Sequence, residues 1–600
     1  MGNQPSFQTS SNPVNDRGGA LLKGPSAFAR ALRGRPWGLG SKRRHLPNTK
    51  PPLLLNESAN QQTVDNNVKF PLKGIKVGYL RSLQGRVKNE WTVYDICKEF
   101  VIPVTIESKL SYCEWLDKSS PPSLSDSSSS SIKARADIFV SYAWKYTWGQ
   151  LLEAFEKLDD STAVWLDVFV VNQHQASEVN LDEWLETFSG AIKSIGKVLF
   201  IFAPWRCPTP VTRAWCVFEI LTTLQTDVHR EIVVPKSELE TLLISIVNGE
   251  LGGAQGNEVM NMLRDINVMR AQAYKEEDRR VIMEKIKQRG VIDVNNVVLL
   301  PIKQWYLEAV KLAVNERTQP FSMERGNAYE ALYGFEELLG KPVEGLEAAE
   351  KALECWERCG APLPKMLAGH HLVGTALSVQ GDWNGAGERF EKCIEQGRDG
   401  VLPAEQYIQI LQQYCSVLIY RNQLDEAVSL GSQALEMSKQ HFGDTDSRLA
   451  DSASTLGALL KSVNRVDEAK TLFELALDVY KKTLGEDHPR ISMALTNLAV
   501  TMKLGGDCDG AIKLYEESLF ITKRVMGDDH VELASIYNNI ASAYLTKGDV
   551  HAAYENGNKA YVMWNRVLGP EHQMTVMAKR FWETEEGTKA IAEDMGIQVM

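Results

Sequence analysis

A four-residue motif that recurs every 42 residues constrains the fold of this chain more than any other feature. It reads GDTD at 443–446, GEDH at 485–488, GDDH at 527–530 and GPEH at 569–572. Small and apolar side chains recur between the copies in the same register: Gly457, Ala499 and Ala541; Ala469, Ala511 and Ala553; Ala476, Ser518 and Ala560; and Leu456, Leu498 and Ile540. Small side chains at these spacings let two antiparallel helices approach closely. The sequence therefore predicts a stack of helical pairs that share a continuous core.

The 42-residue unit resembles the tetratricopeptide repeat (TPR) with a longer turn, and its G-x-D-H close is similar to that of kinesin light chain repeats. Less regular copies at 327–360, 364–398 and 403–446 and a capping helix near 574–595 give about six repeats over 327–600. The resemblance implies an all-α superhelical solenoid that binds a protein or peptide ligand in its concave groove. His488, His530 and His572 lie one repeat apart in separate turns, so we expect them to serve those turns rather than a metal ion.

Asn497 and Asn539 occupy the same position in adjacent repeats. In TPR domains such a position often faces the groove and holds the backbone amides of a partner. The alternative is a solvated polar face, and the sequence leaves both interpretations open.

Residues 133–300 have a different pattern, in which apolar runs alternate with amphipathic helices. The predicted strands are ADIFVSYAW (136–144), AVWLDVFVV (163–171), KVLFIFAPW (197–205) and REIVV (230–234), and LDEWLETFSGAIKSI is a predicted helix. This alternation predicts a parallel sheet covered on both faces. Ligands bind such sheets beyond the carboxyl ends of the strands. Ser141 to Trp144, Asp167 and the segment from Trp205 to Glu219 follow those ends.

Two of these stretches resemble the Toll/interleukin-1 receptor (TIR) domain. DIFVSYAW is similar to its first strand, and RAWCVFEI is similar to its S-x-W-C-x-x-E motif, with Arg213 in place of the serine. The resemblance implies a flavodoxin-like α/β fold that acts either by self-association or by cleaving NAD as a substrate. It makes Glu219 the catalytic candidate. The position of the strand ends makes Ser141, Trp144, Asp167 and Trp215 the ligand-binding candidates, with a loop cap as the alternative for Asp167 and a core position as the alternative for Trp215. A glutamate near a helix N-terminus is also a common stabilising choice without any function.

The insertion between residues 236 and 300 holds more helix than that family needs before a fifth strand, which we expect at VNNVVLL (294–300). Upstream, GIKVGYL is a predicted strand and WTVYDICKEFVIPV a helix closed by Pro103, within an extension of the α/β domain at 66–118. Residues 119–132 form a predicted Ser/Pro linker, and 301–326 a helical connector to the repeats.

Residues 1–65 are a predicted disordered tail with nine basic residues and one acidic residue up to Lys50. Gly2, followed by Ser6, fits the pattern for N-myristoylation. An acyl chain combined with a basic patch can hold a protein at a membrane. A transit peptide and a plain tail are the alternatives.

The composition narrows the function further. The net charge of −11 argues against nucleic acid as the main partner, and the nine scattered cysteines fit a reducing, cytoplasmic location. We expect no metal and no cofactor. The sequence favours a signalling or scaffold protein that recruits a partner through its repeats; the alternative is an NAD-hydrolysing enzyme regulated by them. A kinesin-type cargo adaptor is disfavoured because no heptad coiled coil precedes the repeats.

Overall fold

The computed structural model describes residues 72–118, 132–226, 228–251, 271–289, 291–398, 400–486, 488–526, 530–594 and 596–597, together with Leu263 and Val268. The tail with Gly2 and nearly all of the predicted Ser/Pro linker lie outside these described residues. None of the described helices combines the length and the apolar character that a membrane crossing needs.

One mixed sheet of six strands organises the first part of the described chain. The strands are β1 Lys73–Lys76, β2 Lys133–Arg135, β3 Ile138–Ser141, β4 Ala163–Trp165, β5 Lys197–Ile201 and β6 His229–Val233. Their order is β2-β1-β4-β3-β5-β6. The prediction of parallel pairing is confirmed for β4, β3, β5 and β6. The sheet continues beyond these four strands with β1, which is antiparallel to both β2 and β4.

Helices pack on the sheet and lead from it to the repeats. They are α1 Val77–Ser82, α2 Val93–Ile96, α3 Ile102–Thr105, α4 Tyr112–Lys118, α5 Trp148–Ala154, α6 Asp167–Val170, α7 Leu181–Ile195, α8 Thr209–Thr212, α9 Ala214–Thr226, α10 Lys236–Val247, α11 Glu276–Arg289 and α12 Val291–Glu316. A π-helical segment, Cys97–Val101, joins α2 to α3, and a 3-10 turn spans Ala176–Glu178. The helix predicted from LDEWLETFSGAIKSI is confirmed as α7.

Several predicted elements are wrong in type. The second strand ends at Trp165, and the apolar run after it turns into α6, because a short apolar run fits a buried helical turn as well as a strand. GIKVGYL is a strand only to Lys76 and continues as α1. Pro103 does not close its helix, which continues to Thr105.

The predicted fifth strand at 294–300 is instead part of α12, which also runs across the predicted start of the connector at 301. This helix contains Pro301 in its interior. The sheet therefore ends at β6 among the described residues, and the described elements of the insertion are α10, α11 and the start of α12.

Six helical pairs follow. They are α13 Met323–Leu338 with α14 Pro342–Arg358, α15 Leu363–Gln380 with α16 Trp383–Gln396, α17 Ala404–Tyr420 with α18 Leu424–Phe442, α19 Ser447–Ser462 with α20 Val466–Leu484, α21 Pro489–Leu504 with α22 Cys508–Met526, and α23 Val531–Lys547 with α24 Val550–Leu568. The predicted single capping helix is wrong, because it is divided into α25 Gln573–Trp582 and α26 Glu585–Asp594.

The small residues that recur every 42 positions are buried between the helices, as predicted. Ala499 and Ala541 lie on first helices and Ala511 and Ala553 on second helices, and all four are fully buried. A Cβ atom at Gly457 would stand 3.1 Å from the ring of Phe473, so a larger side chain there would require the ring to shift.

The recurring turn motif closes one pair and opens the next. Gly485 and Gly569 have φ angles of 76° and 84°, which favour glycine. Nδ1 of His488, His530 and His572 accepts a hydrogen bond from the backbone N–H two residues later, at 3.2 Å in each case. The histidines are helix N-caps, so their predicted role in the turns is confirmed.

The sheet region and the first pair share one hydrophobic core. Tyr306 on α12 donates a hydrogen bond from its hydroxyl to the carbonyl of Trp205, and its ring stacks on Phe335 of α13 with 5.3 Å between centroids. Asn327 of α13 donates a hydrogen bond from Nδ2 to the carbonyl of Val247, at 3.0 Å. The first pair is therefore docked on the α/β region by specific contacts rather than tethered to it.

Candidate functional site

A cleft of about 790 Å³ opens beyond the carboxyl ends of β3 and β4. Its walls come from the segments after these two strands, from the start of α7, from α9, and from the insertion around α11. Four of the predicted site residues line it: Trp144, Asp167, Trp215 and Glu219. The cleft thus lies where parallel strands of an α/β sheet are expected to present a ligand site.

Glu219 lies in the second turn of α9 and is only 7% exposed. Ser141, the last residue of β3, is fully buried behind it and donates a hydrogen bond from Oγ to Glu219 Oε2. Burial raises the pKa of Glu219 to about 8, against the opposing effects of the Ser141 hydrogen bond and the charge of Arg213. The carboxyl group is therefore available both as an acid and as a base near neutral pH.

Asp167, the first residue of α6, is the second carboxyl group of the cleft. It accepts hydrogen bonds from the Tyr142 hydroxyl, from Trp144 Nε1 at 2.9 Å and from the Val168 backbone N–H at 2.7 Å. Burial raises its pKa as well, although these three donors oppose the shift. Asp167 thereby fixes the orientation of Trp144 at the cleft wall.

The insertion supplies the outer wall of the cleft through contacts with the segment that carries Arg213. The backbone of Gln272 exchanges hydrogen bonds with Thr212 and Ala214, and Trp215 donates from Nε1 to Asp278 at 3.1 Å. Arg213 donates from Nη1 to the carbonyl of Tyr142 at 3.2 Å. Arg213 thus stands where the TIR motif has serine and bridges two walls of the site.

The loop after α6 is held by contacts with the N-terminal extension. His174 Nε2 lies 2.9 Å from Thr105 Oγ1, and Asn172 donates to the carbonyl of Lys109 at 2.8 Å. The structure therefore places residues 72–118 as a support for one side of the cleft.

A second candidate site lies on the repeats, on the surface where the first helices of successive pairs run side by side, which we call the groove. Hydrogen bonds between first helices define it: Gln412 to Ser452 at 2.7 Å, and Lys503 Nζ to Ser542 Oγ at 2.8 Å. One position of the groove carries a polar side chain in five consecutive pairs, each 42 residues from the next. These residues, which we call the ladder, are His371, Gln413, Thr455, Asn497 and Asn539.

The two predicted partner-binding residues, Asn497 and Asn539, are therefore the last members of a longer series. Both are half-buried, and neither side-chain amide has a hydrogen bond to another described residue. At the other end of the ladder, His371 Nε2 lies 2.9 Å from Gln413 Oε1. The three earlier members were missed because the residue at this position changes from one repeat to the next (His, Gln, Thr), although the spacing of 42 residues would have found them.

Two lysines in the groove also share a register position. Lys461 and Lys503 are 42 residues apart, and neither forms an ion pair with a described acidic residue. Burial lowers the pKa of Lys461, and it lowers the pKa of Lys503 to about 8, helped by the nearby charge of Lys461. Both ammonium groups therefore lie where a negatively charged ligand would stabilise them.

Family models match part of the repeats. Residues 406–482 and 448–524 match one tetratricopeptide repeat model, and residues 533–573 match another. No curated protein matches the chain.

Three solved structures are similar to parts of the chain. BtubC (BKLC) from P. vanneervenii is 17% identical, over 39% of this chain and 92% of that chain, with a TM-score of 0.33. Nearly identical TPR-like repeats of a putative P. anserina kinesin light chain are 20% identical, over 34% and 97%, with a TM-score of 0.31. YrrB, a TPR protein with an unusual peptide-binding site, is 17% identical, over 36% and 93%, with a TM-score of 0.24. The two family models and the helical pairs they cover identify the solenoid as tetratricopeptide repeats.

Proposed function

We propose that the protein is a signalling scaffold that holds a partner protein through an extended acidic segment bound in the groove. TPR repeats are protein-binding surfaces, and the observation that carries the proposal is the ladder. Side-chain amides such as those of Asn497 and Asn539 both donate and accept hydrogen bonds, as the backbone of an extended peptide requires.

The charge of the groove favours an acidic segment. Lys461 and Lys503 are mostly withdrawn from water and have no acidic partner among the described residues, so each gains by pairing with a carboxylate. Their spacing of one repeat would place two carboxylates of the bound segment in register with the ladder.

Binding of randomised 12-residue peptide pools to the full chain tests this proposal, with acidic, neutral and basic pools compared by fluorescence anisotropy. The double variant Asn497→Ala/Asn539→Ala should weaken binding of every pool by about tenfold, since two hydrogen bonds are lost. Lys461→Ala/Lys503→Ala should weaken the acidic pool selectively. The control Lys470→Ala/Lys513→Ala makes the same charge change on the second helices α20 and α22 and should alter nothing. Equal binding of the peptides by all variants would contradict binding in the groove.

A second candidate function belongs to the cleft: a TIR-like domain that cleaves NAD. The buried Glu219, held by Ser141 at the carboxyl end of β3, supports it, as does the order of the parallel strands, β4-β3-β5-β6. An ionised Glu219 would stabilise the positive charge that develops when a glycosidic bond to nicotinamide breaks. Self-association of the same domain without catalysis is the alternative.

Release of nicotinamide from NAD by the full chain, followed at rising protein concentration, distinguishes these alternatives. Glu219→Gln should lower the rate on the order of a thousandfold if charge stabilisation dominates. Glu107→Gln is the control, because Glu107 is exposed and does not line the cleft. Absence of cleavage by the wild-type protein even when clustered would leave self-association, which light scattering would then have to detect.

A further inference from the structure

The charge that lines the cleft is strongly one-sided. The carboxyl groups on its walls belong to Asp167, Asp182, Glu183, Glu186, Glu219, Glu277 and Asp278. The basic side chains on the same walls belong to Arg213 and Lys275. Among the described residues, Asp182, Glu186 and Glu277 have no hydrogen-bond or ion-pair partner for their carboxylates. A ligand that enters this cleft therefore meets an excess of negative charge.

Aromatic rings form another part of the wall. Trp144, Trp184 and Trp215 line the cleft, and Phe188 connects the last two, with ring centroids 5.5 Å from Trp184 and 5.7 Å from Trp215. The indole N–H groups of Trp144 and Trp215 are bound to Asp167 and Asp278, which fixes both rings in place. Indole faces attract cations, and a cluster of them is a recurring way to bind alkylated ammonium groups.

One oxygen of the buried Glu219 carboxyl accepts no hydrogen bond from the described residues. Glu219 is more than nine-tenths buried, and its Oε2 is taken up by Ser141. Its other oxygen, Oε1, accepts no hydrogen bond from any described residue, although Glu219 lines the cleft. A positive charge close to this oxygen would favour the ionised form of the carboxyl.

We propose that the cleft binds a singly charged organic cation of the quaternary-ammonium class, and that it excludes the pyrophosphate of a dinucleotide. The cation would lie against the tryptophan wall with Glu219 beneath it and the carboxylates of α7 and α11 around the mouth. A pyrophosphate would face those same carboxylates. The two cations, Arg213 and the exposed Lys275, are outnumbered by the seven carboxyl groups of the walls.

The inference does not depend on the groove. The cation site and the second candidate function use the same cleft. If the cleft cleaves NAD, the charged nicotinamide end would fit in it, and the phosphates would have to lie outside.

Calorimetric titration of the full chain with choline, with its neutral isostere 3,3-dimethylbutan-1-ol and with NAD tests the inference. Choline should bind at least about tenfold more tightly than the isostere, which matches its shape without its charge. Its affinity should fall as salt is added, because the mouth of the cleft is exposed to solvent. Asp182→Asn and Glu277→Gln should each weaken choline by about threefold, since exposed carboxylates contribute modestly. Glu107→Gln, the same change outside the cleft, should leave it unaltered.

Equal binding of choline and its isostere, or tighter binding of NAD than of choline, would overturn the inference. So would unchanged choline affinity in both carboxylate variants, which are exposed and should fold normally. The nicotinamide-release assay is read separately. Choline binding without NAD cleavage would support the cation site and exclude the second candidate function. NAD cleavage that choline does not inhibit would support the second candidate function and exclude the cation site.

Discussion

The cleft and the groove hold similar polar side chains but assemble them in opposite ways. In the cleft, the bond between Ser141 and Glu219 joins residues 78 positions apart, and no other described pair repeats it. In the groove, each ladder residue lies 42 positions from the next and is placed by the same helix packing. The cleft therefore forms only when the whole α/β region has folded, whereas the groove forms by repeating the same packing between neighbouring helical pairs.

This difference also separates the electrostatics of the two sites. Closure buries carboxyl groups in the cleft and raises their pKa values, while the groove leaves most of its ladder half-exposed. We therefore expect changes in the cleft to act on the whole α/β region and changes in the repeats to remain local. Three measurements test this expectation.

The largest effect should come from Glu219→Gln and should depend on pH. Because the pKa of Glu219 is about 8 in the folded protein and near 4.5 when unfolded, unfolding releases a proton between these values. Wild-type stability from this residue is thus fully present below about pH 4.5 and is lost as the pH rises to about 8. The stability of the neutral glutamine variant does not fall in this way, so the variant should gain on the order of 5 kcal/mol relative to wild type between pH 4.5 and pH 9.

Chemical denaturation of both proteins across that pH range measures the difference. A constant difference at all pH values would show that Glu219 has the same pKa in the folded and unfolded protein and would contradict the burial argument.

An intermediate effect is expected for Ala511→Leu in α22, where the small residue is fully buried. Overpacking should cost about 2 kcal/mol. Amide hydrogen exchange should show faster exchange in α21 to α24 and unchanged exchange in the sheet. Ala590→Leu, at an exposed position of α26, is the control for added bulk. Faster exchange in β3 and β5 would break the contrast between the two regions.

The smallest effect should come from the N-cap of α21. His488→Ala should lower stability by about 0.5 kcal/mol, because one backbone N–H loses its side-chain acceptor. His488→Asp should retain the cap, since Asp446 plays this role for α19 with a distance of 2.9 Å to the Arg448 backbone nitrogen. His441→Ala is the control, because His441 lies in the last turn of α18. Similar losses for His441→Ala and His488→Ala would dismiss the capping role.

Sequence patterns predicted the repeats better than the sheet for a physical reason. A small residue between paired helices must be small in every copy. The sequence therefore indicates this buried position three times, at Ala469, Ala511 and Ala553. The run after Trp165 appears once, and its apolar side chains satisfy a helical turn and a strand equally well. The same ambiguity misled the assignment of 294–300, which is helical in α12.

The candidate site was predicted in part. The positions of the strand ends and the TIR resemblance predicted one site that contains Trp144, Asp167, Trp215 and Glu219. All four line one cleft. Nothing in the sequence signalled that the insertion would place Lys275 and Asp278 opposite them, since a helix offers no local clue to the distant surface it will cover.

The stacking of Tyr306 on Phe335 has a consequence for how such a chain can change length. The first pair fits a surface that occurs once among the described residues, so a repeat inserted between α12 and α13 would have to reproduce that surface. The pairs from α19 to α24 pack on similar pairs, so a 42-residue unit gained or lost among them meets similar packing on both sides. Duplication is therefore free to act at the regular end of the solenoid, and the length of the groove can vary while the cleft stays as it is.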